Sequence, residues 1–141
     1  MPFDGTEFLR PRRDPPRVHR GWRERCAAAL RTLLFLPPPT TMPEVLLRVL
    51  EEARGLIEQP DDWVRGAYET DGGERCAVGA LRAAASLLNY PTAGATAQHL
   101  VEAIVRQHGF DAIERMNDHA GHDAILRVFD VAIATVAAGR G

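Results

Sequence analysis

The sequence predicts an all-α fold, a compact bundle of about five helices with a long loop or a small β-hairpin before the central helix. Apolar residues recur every three or four positions along several segments, as they do on the buried face of an α-helix. Proline and glycine stand between those segments and mark their ends. Residues 76–88 contain only Arg82 and Ser86 as strongly polar side chains, which predicts a central helix buried nearly all round.

The size and composition are those of one globular domain. The 141 residues are 45% hydrophobic and 26% charged, with a formal net charge of −2, so the whole chain has no strong attraction to nucleic acids or acidic membranes. The charge is unevenly divided. Residues 1–36 hold eight Arg against four acidic residues, whereas the rest of the chain holds nine Arg against fifteen.

The N-terminal part differs from the rest. Residues 1–42 are predicted to be an Arg/Pro-rich extension, and residues 43–141 the helical core domain. The extension contains one amphipathic helix over residues 17–36, which ends at the prolines of positions 37–39 because proline lacks the amide hydrogen. We expect this helix to pack on the core domain or on a second copy of the chain, which would make a homodimer.

The first core helix and the following loop have distinct signals. Thr41 and Glu44 have the spacing of a capping box, Pro43 suits a first helical turn, and an apolar stripe continues to residue 57. Residues 61–75 lack that periodicity and include Asp71-Gly72-Gly73, a strong turn signal. They are predicted to form the long loop or small hairpin.

The remaining elements follow the central helix. The next helix is predicted to be capped by Thr92 or Thr96 and to end at Gly109. A short helix over residues 111–116 precedes a turn at residues 117–121. The last helix is predicted to span residues 122–138 and to end at Gly139.

Three short motifs together carry a family resemblance. Trp63, the run Cys76-Ala77-Val78-Gly79-Ala80-Leu81, and Asn117-Asp118 before a final amphipathic helix resemble an uncharacterised family catalogued as domain of unknown function 6197. The resemblance covers about residues 43–138. It implies a bacterial or phage-related protein of high-GC Gram-positive origin and a helical fold, and it implies no activity.

Cys76 is the sharpest candidate for chemistry. It stands in the first turn of a predicted helix, where the free amide hydrogens and the dipole would stabilise a thiolate. His119 would then be its base, and Asp118 or Asn117 would orient the histidine. The competing interpretation is that Cys76 is a small buried hydrophobic residue, since free cysteine is among the most buried residue types.

The other candidates have equally good structural explanations. Trp63 and Tyr68 would form a stacking platform for a ligand, or would pin the loop to the core. Asn117, the third candidate binding residue, would line a pocket against the helix of Cys76. Asn117 and Asp118 are typical of turns, where their side chains bond backbone amides. His119 and His122 would need a third and a fourth metal ligand from elsewhere, such as His99, His108 or Cys76, and an exposed polar helix start explains them equally well, so neither a metal nor another cofactor is predicted.

The cellular setting is predicted from absent signals. Cys26 and Cys76 are too few for a disulfide framework, which favours a reducing cytoplasm. No segment resembles a signal peptide or is long enough to span a membrane, so no membrane partner is expected.

The sequence thus favours a small soluble binding or accessory protein without catalytic activity, whose partner is a small molecule or a protein. The alternative is a cysteine-dependent enzyme using Cys76, His119 and Asp118. A weaker alternative is nucleic-acid association through the Arg-rich N-terminus, since arginine binds phosphate. Whether the protein is an enzyme is left open by the sequence.

Overall fold

Five α-helices make up most of residues 41–140, the part of the chain that this computed structural model describes. In chain order they are α1 (Met42–Leu56), α2 (Ala77–Leu88), α3 (Pro91–Gln107), α4 (Ile113–Ala120) and α5 (His122–Ala138). A single 3₁₀ turn, Pro60–Asp62, lies in the connection between α1 and α2. The all-α fold is confirmed, and no strand forms within this range.

Helix α1 begins where the capping signals predict. Thr41 is its N-cap, and the backbone N–H of Thr41 donates to Glu44 Oε2 at 3.2 Å. Pro43 lies in the first turn, where its missing amide hydrogen costs nothing. The apolar stripe of α1 buries Val49, Leu50 and Ala53, which join the core.

Helix α2 is the buried centre that the sequence predicts. Most of its first nine residues are buried, including Ala77, Val78 and Leu81, and it packs against α1, α3 and α4. Its small residues permit close approach. A methyl group added at Gly94 of α3 would overlap the side chain of Ala85, which shows how tightly α2 and α3 meet. Helix α5 packs against α1, α3 and α4 instead.

The connection at residues 57–76 is the long loop rather than the hairpin. Two isolated bridges join Arg75 to Trp63 in parallel and to Glu69 in antiparallel fashion, and no ladder continues from either. Gly66 and Gly73 have φ angles of 70° and 91°, so the chain turns at both positions and cannot run as two straight strands.

Two predicted boundaries are wrong. Helix α3 begins at Pro91, before Thr92 and Thr96, because Asn89 ends α2 in the left-handed conformation with φ of 56° and Pro91 can start the next helix at once. Helix α4 spans Ile113–Ala120, so the turn predicted at residues 117–121 is mostly helical. Only Gly121, with φ of 91°, separates α4 from α5, and α5 has the predicted bounds.

Predictions about the extension fall outside the described residues. These are the amphipathic helix over 17–36, its contact with the core or with a second copy, and the Arg-rich arm for nucleic acid. They and the division into extension and core domain stay predictions. Within residues 41–140, no helix combines the length and apolar character that a membrane crossing requires.

Candidate functional site

Asn117 of α4 is the polar centre of the candidate site. Its side chain is fully buried. The Oδ1 atom accepts from Trp63 Nε1 at 2.8 Å and from the backbone N–H of Ala77 at 3.1 Å. The Nδ2 atom donates to the Val64 carbonyl oxygen at 3.0 Å and to Asp118 Oδ1 at 3.1 Å. Both ends of the amide are thus satisfied, as burial requires.

Asp118 extends this contact to the next part of the loop. Its Oδ1 atom also accepts from the backbone N–H of Gly66 at 3.1 Å. Asn117 and Asp118 therefore hold residues 63–66 against α4 through one indole and two backbone groups. The pair was predicted to bond backbone groups locally in a turn, whereas both side chains reach across more than fifty residues to the loop.

Trp63 sits where the loop meets α5. It is partly buried against the core, and its ring centroid lies 5.4 Å from that of His122. The guanidinium of Arg65 lies 5.2 Å from the centroid of the indole ring, within cation–π range. His122 Nε2 lies 2.6 Å from the Ile57 carbonyl oxygen, so this nitrogen carries a proton and donates to the start of the loop.

Tyr68 fixes the middle of the loop to the other side of the site. Its hydroxyl donates to Glu114 Oε1 at 3.2 Å, and the Arg82 guanidinium lies 4.5 Å from its ring centroid. Burial, followed by the charge of Glu114, raises the pKa of the tyrosine hydroxyl. The Tyr68 carbonyl oxygen accepts from the backbone N–H of Cys76 at 3.3 Å.

Cys76 is the N-cap of α2 and its sulfur points into the protein. The side chain is 2% exposed, and Sγ accepts from the backbone N–H of Gly79 at 3.4 Å. Burial raises the pKa of the thiol from 9.0 to about 11, although the N–H groups of Gly79 and Val78 act in the opposite direction. Desolvation of the thiolate therefore outweighs its stabilisation by the helix end.

The first turn of α2 has its amide hydrogens already occupied. Cys76 donates to the Tyr68 carbonyl oxygen, Ala77 donates to Asn117, and Gly79 donates to the cysteine sulfur, on which the Val78 N–H also acts. These are the groups that a helix end offers to an anion. Here other groups of the protein already contact these amide hydrogens, so the start of α2 stabilises the fold rather than offering a site to an anion.

The contacts of the predicted catalytic residues differ from those of a cysteine–histidine–aspartate triad. Asp118 holds the loop, and His119 is exposed near the end of α4. Among the described residues, no hydrogen bond joins His119 to Cys76 or to Asp118. The catalytic assignment stays a prediction to which these contacts lend no support. In the same part of the chain, no three His, Cys, Asp or Glu side chains converge as metal ligands.

The structure brings together Trp63, Asn117 and the start of α2, and it adds two residues that the sequence interpretation missed. Arg65 and Arg82 cover the rings of Trp63 and Tyr68. Arg65 stands two positions after Trp63, and side chains at that spacing point to the same side of an extended chain. The spacing is therefore a weak signal that the two side chains are neighbours. Nothing in the sequence connects Arg82 with Tyr68, because they belong to separate elements.

A family model described as "Family of unknown function (DUF6197)" matches residues 41–135, which is more than half of the chain and includes the whole site. Searches of curated proteins and of solved structures gave no match. The match confirms the family resemblance that the motifs indicate, while the bacterial and phage origin stays a prediction.

Proposed function

The chain belongs to this family of unknown function, and we propose that it acts by binding a partner rather than by catalysis. One observation carries the proposal. The buried amide of Asn117 is fully used in fixing the loop and the first turn of α2. The residues that would orient a base or stabilise a thiolate are therefore engaged in building a rigid surface.

That surface is the outer side of the loop at residues 57–76. Asp61, Arg65 and Asp71 are exposed on it. Loops held by a rigid scaffold commonly carry binding residues, and a loop that is already ordered loses little conformational freedom when a partner binds. Stacking on Trp63 also orients the Arg65 guanidinium before any contact is made.

The partner we propose is a protein. Exposed charges of both signs are spread along the loop, which offers several separate polar contacts to a facing surface of complementary charge. Such a pattern supports orientation and specificity at a protein interface. A cysteine-dependent reaction is the competing hypothesis, and the reactivity of Cys76 separates the two.

We expect Cys76 to resist alkylation in the folded protein. In a Cys26→Ser background at about pH 7, iodoacetamide should modify Cys76 at least about a hundredfold more slowly than it does in the urea-unfolded chain, because a thiol with a raised pKa has little thiolate and its sulfur is buried. Rates would be followed by intact-protein mass spectrometry. An added exposed thiol, Ala134→Cys, is the matched control and should react at the rate of a free thiol. Fast modification of native Cys76 would favour the enzyme.

The binding surface can be tested in the intact chain by site-specific photo-cross-linking. We expect a benzophenone amino acid at Asp71 to give an adduct of one discrete mass in cells that express the protein naturally. The same probe at Arg127, exposed on α5, should not give it. The added substitution Arg65→Glu should remove the adduct from the Asp71 probe, because it reverses a loop charge. Equal labelling from both positions, or persistence of the adduct in Arg65→Glu, would contradict this surface.

A further inference from the structure

A groove with a largely apolar lining lies where α2 meets α3 and the start of α1, and Arg82, which covers the Tyr68 ring, borders it. Two neighbouring cavities share Pro91. The first has a volume of about 280 Å³ and is lined by residues that include Met42 and Val45. The second has a volume of about 340 Å³ and is lined by residues that include Leu81 and Ala85. We call these two cavities together the α2–α3 groove.

One large apolar side chain is exposed on the wall of this groove. Met42 is 51% exposed and lines the first cavity. Residues of α1, α2 and α3 line the two cavities, and such a concave, largely apolar surface suits the apolar face of a docked segment.

We propose that residues 17–36 of the same chain bind in the α2–α3 groove. The pattern of this segment fits such a surface. Trp22, Cys26, Leu30 and Leu33 fall on one face of a helix, and arginines occupy the other. An amphipathic helix whose apolar side lies in a groove is a common mode of recognition. The proposal does not depend on the proposed function.

The covalent connection brings this segment to the groove. Only residues 37–40, three prolines and a threonine, separate it from Thr41, which itself lines the first cavity. A proline-rich spacer extends about 3 Å per residue, so the segment ends within about 15 Å of Thr41. Such a short tether gives an effective concentration of about the millimolar range, which favours binding within one chain.

Charge favours the same pairing. Residues 17–36 carry five Arg and one Glu, whereas the described residues 41–140 carry nine Arg against fifteen acidic residues. The segment is therefore basic and the domain acidic. Their attraction favours association of the segment with the domain as a whole, while the contact in the groove is mainly apolar, since the charged residue that lines it is Arg82.

Disulfide trapping in the full-length chain tests the proposal. Native Cys26 is paired with a new cysteine at Ser86→Cys or at Ala95→Cys, two exposed positions that line the second cavity. Cys76 stays in place because its sulfur is buried. The control is Ala134→Cys, exposed on α5, a helix that packs against α1, α3 and α4. Circular dichroism would verify that each variant is folded.

Under mild oxidation of dilute protein, at least one groove variant should form a disulfide within the monomer at least about tenfold faster than Ala134→Cys. Non-reducing gels and peptide mass spectrometry would measure it. Equal rates in all three variants would overturn the proposal. A covalent dimer whose yield rises with protein concentration would also overturn it, since the occupant would then be a second copy.

A second substitution tests the apolar face itself. Leu33→Asp, added to the faster groove variant, should reduce trapping to the rate of the Ala134→Cys control, because burying an unpaired carboxylate is unfavourable. Arg25→Gln serves as the matched change on the polar face and should leave most of the trapping intact. Unchanged trapping in Leu33→Asp would mean that the disulfide reports random collision, and the proposal would fail.

Discussion

Replacing Asn117 with Ala should lower the free energy of unfolding by about 4 kcal/mol or more. The substitution removes four hydrogen bonds at once and leaves the Trp63 indole, the Ala77 amide and the Val64 carbonyl without their partner. A buried polar group that loses its partner costs about 1–3 kcal/mol. This loss is a large share of the 5–15 kcal/mol by which a typical domain is stable. Urea denaturation followed by circular dichroism would measure it.

Two further variants test whether the loss of stability comes from the buried Asn117 amide itself, rather than from the loss of any polar side chain. Gln107→Ala removes an amide that is exposed at the end of α3, and it should change the free energy of unfolding by less than about 0.5 kcal/mol. Asn117→Asp retains the acceptor atoms but loses the donor and places a second carboxylate beside Asp118. Its destabilisation should be larger at neutral pH than at about pH 4, where protonation relieves the repulsion.

The outcome that would contradict this role is specific. If Asn117→Ala cost no more than the exposed Gln107→Ala, the amide would not be holding the loop to α2 and α4. The same measurement bears on the proposed binding surface, because loop residues 63–66 are positioned by Asn117 and Asp118. A loop that stayed equally stable without Asn117 would need another anchor.

Helices defined by local signals were predictable from the sequence. The bounds of α5 agree with the structure because Gly121 and Gly139 stand at its two ends and its apolar stripe is regular. The start of α1 agrees because Thr41, Pro43 and Glu44 are all local to the helix end. In both cases the interactions that decide the boundary lie within a few residues of it.

Features that depend on distant contacts were not predictable in this way. Asn117 looks like a turn residue, since its side chain commonly bonds nearby backbone groups. In the structure it takes a helical position because its side chain is satisfied by Trp63, Val64 and Ala77, which are forty or more residues away. The useful signal is its spacing, since Ile113, Met116 and Asn117 share the buried face of α4.

The sequence predicted several residues of the candidate site, but it did not predict how they contact one another. Trp63, Cys76 and Asn117 stand together in the family pattern, and the structure brings Trp63 and the first turn of α2 to Asn117. Two opposing effects act on Cys76, since a helix end lowers the pKa of a thiol and burial raises it. Which effect dominates depends on the direction of the sulfur, and its 2% exposure makes burial the larger one.

Gly79 is the second position where a small change should have a large effect. A methyl group at Gly79 would overlap the carbonyl oxygen of Tyr68 and lie 2.8 Å from its carbonyl carbon. These are backbone atoms and cannot rotate away as a side chain would. Either the loop or the start of α2 must move, and the hydrogen bond from the Cys76 amide to the same carbonyl would be disturbed. We expect Gly79→Ala to lower the free energy of unfolding by about 3 kcal/mol.

Gly55 provides a matched control, for which the expected change in the free energy of unfolding has the opposite sign. Gly55 lies in α1, and apart from its neighbours and the backbone of its own helix no atom lies within 4 Å of where its added methyl carbon would be. Gly55→Ala should therefore raise the free energy of unfolding by about 0.5–1 kcal/mol, because alanine favours the helix and restricts the unfolded chain. Both variants would be compared with the parent protein by urea denaturation. If Gly79→Ala were also neutral or stabilising, the loop would not approach α2 as closely as described. The claim that this position requires a residue without a side chain would then fail as well.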